Sequence, residues 1–175
     1  LHGGAEVFPL SAQSGTYNVS VYENVEGTQY ASVLSQTIQV SITDEFGAFL
    51  YPNQFVNFTS SSLAVQKGSE LAYYCNNDTE VVESVYNYII SNFKYDYDKA
   101  KNVKSGYIPD IDKVFTEKTG ICFDYASVMA AMLRSQSIPT RLEVGYAGDE
   151  YHAWISTYIK DKGWINCIIE FKGKD

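Results

Sequence analysis

The sequence predicts an α+β protein in which a small all-β segment precedes a domain of helices and an antiparallel sheet. Before residue 60 and after residue 140, apolar residues alternate with polar ones, a period typical of half-buried strands. Between these regions apolar residues recur at helical spacing. Helices followed by antiparallel strands are typical of the α+β class. We therefore divide the chain into a sandwich-like β segment, residues 1–60, and a helix-and-sheet domain, residues 61–175.

The N-terminal segment shows the two-residue period in two runs separated by turn signals. The alternating residues are Tyr17, Val19 and Val21, followed by Ile38, Val40 and Ile42. Residues 24–27 and 44–47 are rich in glycine and polar side chains, which favour turns. This pattern predicts a small antiparallel sheet or a partial sandwich.

A helix is predicted over 79–92, preceded by a shorter one near 62–75. Asn77 and Glu80 have the spacing of a capping box, in which each side chain pairs with a free backbone N–H at the helix start. The following segment, 94–110, is polar and tyrosine-rich, and it is predicted to be a long loop. Loops of this length in compact domains are often functional.

A second helix is predicted over 121–136, because Thr119 and Gly120 precede it and Pro139 follows it. The three strands expected after it cover residues 140–147, 151–159 and 164–171. Short turns rich in Gly and Asp separate these strands.

The composition excludes several partners and favours export. The net charge is −8 and the pI is about 4.7, so we expect neither nucleic acid nor an anionic membrane surface as a partner. No apolar run approaches the roughly 18 residues of a membrane span. Fifteen Tyr against only 13 Lys and Arg favour an extracellular or cell-surface location. Because the chain begins with Leu1, we interpret it as a fragment or a processed product.

The cysteines and histidines narrow the possible chemistry. Three cysteines occur without a CxxC spacing, which argues against a structural zinc site, and we expect neither metal nor cofactor. The aspartates at 96, 98, 110 and 112 lack the ligand spacing of an EF-hand loop. His2 lies near a terminus, so chemistry that needs an imidazole must use His152.

Cys122 and His152 form a candidate nucleophile and base. Cys122 lies in the first turn of its predicted helix, where free N–H groups and the helix dipole favour a thiolate. His152 opens a predicted strand 30 positions later, with one helix and one strand between them. A single Cys or His is more often structural. The pair is more informative, because that connection can return the strand to the helix start.

An ordered run of short motifs surrounds this pair. The motifs are Gly120-Ile-Cys122-Phe-Asp124-Tyr125-Ala126, Leu133-Arg134, Ile138-Pro139-Thr-Arg141, Gly145-Tyr146, His152-Ala153-Trp154 and Gly163-Trp164, with Tyr95-Asp96-Tyr97 before them. The run covers roughly residues 62–171 and resembles the core of the transglutaminase-like superfamily. The resemblance implies a papain-like fold, a Cys-His-Asp triad, and acyl transfer through a thioester with Cys122 as nucleophile and His152 as base.

The sequence departs from that family at the third triad residue. The family's acid usually lies four residues after the tryptophan, where this chain has Ile168. The acid can lie beyond Asp175, Glu170 can replace it, or the triad can be degenerate; we favour the first. Asp124 is a poor candidate, because residues two apart on a helix point about 200° from each other.

Two functions of different classes are expected from these observations. The first is hydrolysis of a peptide or carboxamide by a bacterial protease or amidase, which we prefer to cross-linking, with a peptide or a cell-wall or surface protein as substrate. The alternative is a non-catalytic cell-surface binding module. Tyr146, Tyr151 and Trp154 are possible groove residues, although aromatic strand residues more often serve packing.

Overall fold

The computed structural model describes residues 5–169, which form strands, helices and two compact units. The helices are Leu63–Ala72 (α1), Asp78–Asn92 (α2), Tyr97–Asn102 (α3), Ile111–Glu117 (α4) and Cys122–Arg134 (α5). The strands are Gly15–Glu26 (β1), Gln29–Val40 (β2), Lys94–Tyr95 (β3), Thr119–Gly120 (β4), Thr140–Ala147 (β5), Glu150–Ile159 (β6) and Gly163–Cys167 (β7). Among the described residues no helix is both long and apolar enough to cross a bilayer. Mixed helix and sheet with an N-terminal β element confirm the predicted α+β class.

One unit, Leu10–Glu45, is an antiparallel hairpin of β1 and β2. The two-residue period was predicted correctly, and the turn includes Gly27 at φ +54°, a conformation that suits glycine. The expected half-burial is wrong for most positions, because no residue of either strand is fully buried. Val19, for example, is 44% exposed. The period of a strand therefore records two faces, but not whether either face is covered.

Among the described residues, the second unit contains residues 5–9 and 46–169, and its centre is α5. Every residue of α5 from Asp124 to Arg134 is buried. Small residues allow other helices to approach closely: a Cβ on Gly68 of α1 would lie 3.0 Å from the backbone oxygen of Met132. The predicted boundary near residue 60 stays a prediction, and residues 46–60 group with the helical unit.

The cap predicted before α2 is present. The Asn77 side chain accepts a hydrogen bond from the Glu80 N–H at 3.0 Å. The Glu80 carboxylate in turn accepts from the backbone N–H of Asn76 at 2.7 Å, one residue earlier than a standard capping box would require. Both contacts fix the start of α2 and thereby its apolar face, which packs on the core.

The segment predicted as a long loop is more ordered than expected. It contains β3 and α3, and α4 follows it without having been predicted. Aspartates cap these short helices: Asp96 accepts from the N–H of Lys99 and Asp110 from that of Lys113. Short helices give too few apolar positions for a periodic signal, so capping aspartates were the available clue.

Strands β5, β6 and β7 form one antiparallel sheet in that order. From Ala153 onward the odd-numbered residues of β6 are buried, and Ala153 and Ile155 belong to the core around α5. β5 pairs with β6 so that Gly145 lies opposite His152. The third predicted strand, 164–171, is shorter than expected within the described residues, because β7 ends at Cys167.

Candidate active site

Cys122 is the first residue of α5 and is half-buried. Ile121 is the N-cap in an extended conformation, and its carbonyl accepts from the N–H of Tyr125 at 3.1 Å. The N–H groups of the first helical turn therefore have no partner within the helix, and the positive end of the helix dipole lies at the sulfur. This is the position that the sequence predicted for Cys122.

Tyr95 lies beside Cys122 because a short parallel pairing joins their segments. Tyr95 of β3 pairs with Gly120 of β4, and the N–H of Asp96 donates to the Gly120 carbonyl at 2.9 Å. The pKa of Tyr95 is raised, first by burial and next by the charge of Cys122, while the backbone N–H of Cys122 acts in the opposite direction. The Tyr95 hydroxyl thus interacts with both the sulfur and the backbone N–H of Cys122.

Asp124, two residues after Cys122, has a completely buried carboxylate with three partners. It accepts from Lys99 Nζ at 2.7 Å, from the Tyr107 hydroxyl at 2.5 Å and from the Ile121 N–H at 2.8 Å. Burial lowers the pKa of Lys99, but the hydrogen bonds from Lys99 to Asp124 and Tyr107 outweigh it and raise that pKa overall. Asp124 therefore connects the start of α5 to the segment that contains α3 and Tyr107.

Gly120 is required by this carboxylate. A Cβ at position 120 would lie 2.7 Å from both Cβ and Oδ2 of Asp124, closer than Cβ atoms in proteins come to such neighbours. The Gly-x-Cys-x-Asp spacing is consequently a packing requirement of the helix start as well as a motif of the site.

His152 is half-buried near the start of β6. Its Nε2 lies 3.1 Å from the backbone carbonyl oxygen of Ile169. A carbonyl oxygen can only accept, so Nε2 carries the proton in this arrangement and Nδ1 is the nitrogen that can take a proton in the neutral ring. A backbone group thus occupies the orienting position that an acid fills in a Cys-His-Asp triad.

Cys122 and His152 line the same cavity, whose volume is about 790 Å³. Tyr95, Tyr107 and Phe123 line it as well, so the predicted pair lies in a pocket of the size used for ligands, about 300–1,000 Å³. Within the part of the chain that the structure describes, no group of three or more His, Cys, Asp or Glu is placed to hold a metal ion.

The other predicted residues are distributed differently. Tyr151 lines the cavity. The ring of Tyr146 packs edge-on against the ring of Tyr151, with 5.5 Å between the ring centroids. The indole N–H of Trp154 donates to the Glu143 carboxylate at 2.8 Å. Ile168, at the family's acid position, follows β7. Glu170 and the residues up to Asp175 lie outside the described residues. Cys75 and Cys167 are free thiols.

The comparison with protein families decides the classification. The profile of the transglutaminase-like superfamily matches residues 68–167, more than half of the chain and the part that holds this site. The chain belongs to the transglutaminase-like superfamily. The resemblance recognised from the sequence motifs is thereby confirmed.

Similar proteins come from bacteria and archaea. YebA of Bacillus subtilis is 24% identical over 203 residues, which cover 94% of this chain and 25% of YebA. A UPF0252 protein of Methanocaldococcus jannaschii is 30% identical over 116 residues, 58% of this chain and 33% of that protein. The chain thus spans a quarter to a third of the length of these relatives.

Solved structures share the transglutaminase-like fold. A Cytophaga hutchinsonii protein, named provisionally as a cysteine protease, has a TM-score of 0.58 at 25% identity, covering 71% of this chain and 42% of that one. The periplasmic domain of TgpA from Pseudomonas aeruginosa has a TM-score of 0.51 at 22% identity, covering 64% of this chain and 44% of that one.

Sequence reasoning missed the roles of five features of this transglutaminase-like site. Tyr95 was recognised only as part of a motif, Asp124 only as a motif residue and a rejected triad acid, and Lys99 and Tyr107 not at all. The Ile169 carbonyl could not have been found, since every residue has one. The role of Asp124 could have been found from its place as the third residue of the predicted helix, because carboxylates at that position pair with the N-cap N–H.

Proposed function

We propose that this domain transfers acyl groups through Cys122, and that it hydrolyses peptides or carboxamides in preference to cross-linking them. The observation that carries the proposal is that Cys122 and His152 line one cavity, the thiol at a helix start and the imidazole held through Nε2. Membership of the superfamily and the likeness to a protein named as a cysteine protease support it.

The proposed reaction has two halves. Nδ1 of His152 takes the Cys122 thiol proton, the sulfur attacks the substrate carbonyl carbon, and a tetrahedral oxyanion forms. The same imidazole then protonates the leaving amine, which leaves a thioester on Cys122. Water attacks the thioester, His152 removes a proton from that water, and the thiolate and the acid are released.

We assign two donors to the oxyanion. The backbone N–H of Cys122 is one, because the N–H groups at a helix start have no partner within the helix. The Tyr95 hydroxyl interacts with that N–H and with the sulfur. When a substrate oxygen replaces the phenol oxygen at the N–H, the Tyr95 hydroxyl can donate to it and stabilise the developing charge.

Hydrolysis is favoured over lysine cross-linking by the charge of the cavity. Its described lining residues include Lys104 but no carboxylate to receive an ammonium group. A lysine acceptor would therefore lose hydration without a compensating ion pair. Cross-linking is the competing reaction to measure. A protein-glutamine gamma-glutamyltransferase of Pseudomonas aeruginosa is 32% identical over 69 residues, which cover 31% of this chain and 10% of that protein.

An exported location is part of the proposal. The tyrosine-rich, lysine-poor composition supports it, as does the fold shared with a domain that is periplasmic in Pseudomonas aeruginosa. A peptide or a protein of the cell wall or cell surface is the substrate that fits this location.

The test is release of new amino termini from a peptide mixture, together with thiol labelling. Wild-type protein should cleave and Cys122→Ala should not. At neutral pH iodoacetamide should label Cys122 at least tenfold faster than Cys75 or Cys167, since burial raises the pKa of the Cys167 thiol. Equal, slow labelling of all three cysteines together with no cleavage would reject the enzyme.

The alternative function is a non-catalytic surface-binding module. Ile168 at the family's acid position is the observation that favours it. Turnover that depends on Cys122 would exclude this alternative, while normal folding without turnover or selective labelling would support it.

A further inference from the structure

The cavity beside Cys122 has an apolar lining on two sides. On the helix side Phe55 and Tyr107 flank Phe123, with ring centroids 6.1 and 6.4 Å from it. On the sheet side Leu142 and Val144 of β5 line the same space. Because both sides adjoin the proposed nucleophile, whatever reacts there must lie against these side chains.

Two of these apolar side chains are exposed to solvent although they are large. Val144 is 48% exposed and Phe55 39% exposed. Covering them would remove apolar surface from water, which is the main favourable contribution to binding in such pockets. Scattered exposed apolar residues are ordinary, but here they share one concave site with the reactive thiol.

The charges around the cavity have one sign. Apart from the titratable Cys122 and His152, Lys104 supplies the one charged side chain among its described lining residues. A substrate cation placed there would be repelled by Lys104 and would find no carboxylate among those residues. A neutral or acidic substrate would avoid this penalty.

We propose that the cavity selects substrates with a bulky apolar side chain, aromatic or large aliphatic, next to the reacting carbonyl, and that it disfavours substrates with a positive charge there. The inference rests on the proposed function, because it takes Cys122 as the group that the substrate must reach. The volume of about 790 Å³ admits such a side chain together with the neighbouring peptide backbone.

The test is equilibrium binding to Cys122→Ala, in which no acyl-enzyme can form. The probes are blocked peptides of the form Gly-Gly-X-Gly-Gly, with Phe, Leu, Gly, Asp or Lys at X, and the measurement is the dissociation constant by calorimetry. Phe and Leu peptides should bind about 10- to 100-fold tighter than the Gly peptide, as burial of such side chains implies. Lys should bind no better than Gly.

Two variants locate the selectivity. Val144→Glu, made in the Cys122→Ala protein, should weaken binding of the Phe peptide and strengthen binding of the Lys peptide, each by at least threefold. Lys104→Glu, on an exposed loop, should strengthen binding of the Lys peptide without weakening binding of the Phe peptide. The matched control is Val19→Glu, a valine 44% exposed on β1 that does not line the cavity, and it should leave the order unchanged.

The outcomes separate the two proposals. Equal binding of all peptides, no binding up to millimolar concentration, a preference for Lys, or the same change in Val19→Glu as in Val144→Glu would overturn the selectivity. Absence of turnover in the wild-type protein, with the binding order intact, would overturn the catalytic proposal and leave the selectivity standing.

Discussion

Cys122 and His152 are held by regions of the molecule that differ in burial and in the kind of support they provide. Cys122 begins a helix whose next turns are buried, and the nearby Asp124 accepts from Lys99, Tyr107 and the Ile121 N–H. The His152 ring, within the described residues, has a hydrogen bond to one backbone carbonyl. The nucleophile is thus positioned by the folded core, whereas the base is positioned by a single backbone contact with Ile169, just beyond the end of β7.

Because of this difference, we expect substitutions in the two regions to differ in their effects on stability and on activity. A change near Cys122 disturbs a buried charge network and should lower stability together with activity. A change at His152 removes a half-buried ring and should affect activity far more than stability.

The largest effect is expected from His152→Ala. Loss of the general base should lower peptide turnover about 10²- to 10⁴-fold, while the free energy of unfolding should change by less than about 1 kcal/mol. Turnover and urea unfolding measured on the same preparation provide the check. The matched control is His2→Ala, and unchanged turnover in His152→Ala would remove His152 from the mechanism.

Asp124→Asn should instead lower stability together with activity. The amide cannot balance the Lys99 charge or accept from all three donors, so the free energy of unfolding should fall by about 2–4 kcal/mol. Glu70→Gln is the control, because the Lys67–Glu70 pair lies on the surface, where such pairs contribute about 0–1 kcal/mol. Urea unfolding of both variants distinguishes a buried network from an ordinary ion pair, and equal effects would contradict the comparison.

The Asp124→Asn effect should also depend on pH in a defined direction. The pKa of Lys99 is raised in the folded protein, so the stability from its charge is fully present below the unfolded value of 10.5 and is lost as the pH rises through the folded value. The stability difference between wild type and Asp124→Asn should therefore be constant near neutral pH and shrink in strong alkali. A difference that grows there would contradict the assignment of Lys99 as the partner.

Two Gly→Ala substitutions, one in each region, compare the regions by adding the same methyl group to each. Gly120→Ala places a methyl group 2.7 Å from Asp124 and should destabilise the protein by about 1–3 kcal/mol. Gly145→Ala, opposite His152, meets the outer edge of the Trp154 ring at 3.3 Å, which can shift, so we expect less than about 1 kcal/mol. Thermal unfolding of both proteins is sufficient, and the reverse order would show that the His152 side is the tighter one.

The same difference explains what the sequence could predict. The site of Cys122 was predictable because Gly120, Asp124 and the apolar residues of α5 lie within one short segment. The partners of Asp124 were not, since Lys99 and Tyr107 are 25 and 17 residues away, in a segment predicted as a loop. Local sequence patterns predict helix caps and apolar faces, whereas contacts between residues separated by a loop can be identified only from the folded structure.

The orientation of His152 was unpredictable for another reason. The motif identifies the His152 ring but not the group that accepts its hydrogen bond, because every residue has a backbone carbonyl. The exposure of the hairpin was missed in the same way, since the alternation of Val19 and Val21 is identical for covered and uncovered strands.

The smallest effect is expected from Ile169→Val, because the carbonyl that accepts from His152 is retained. The lost methylene should cost about 0.5–1.5 kcal/mol of stability, and turnover should stay within about twofold of wild type. Nitrogen NMR of the neutral imidazole should show the proton on Nε2 in both proteins. A proton on Nδ1 would mean that the base cannot accept from Cys122 in this orientation, and the local contact would then have to break before the reaction could begin.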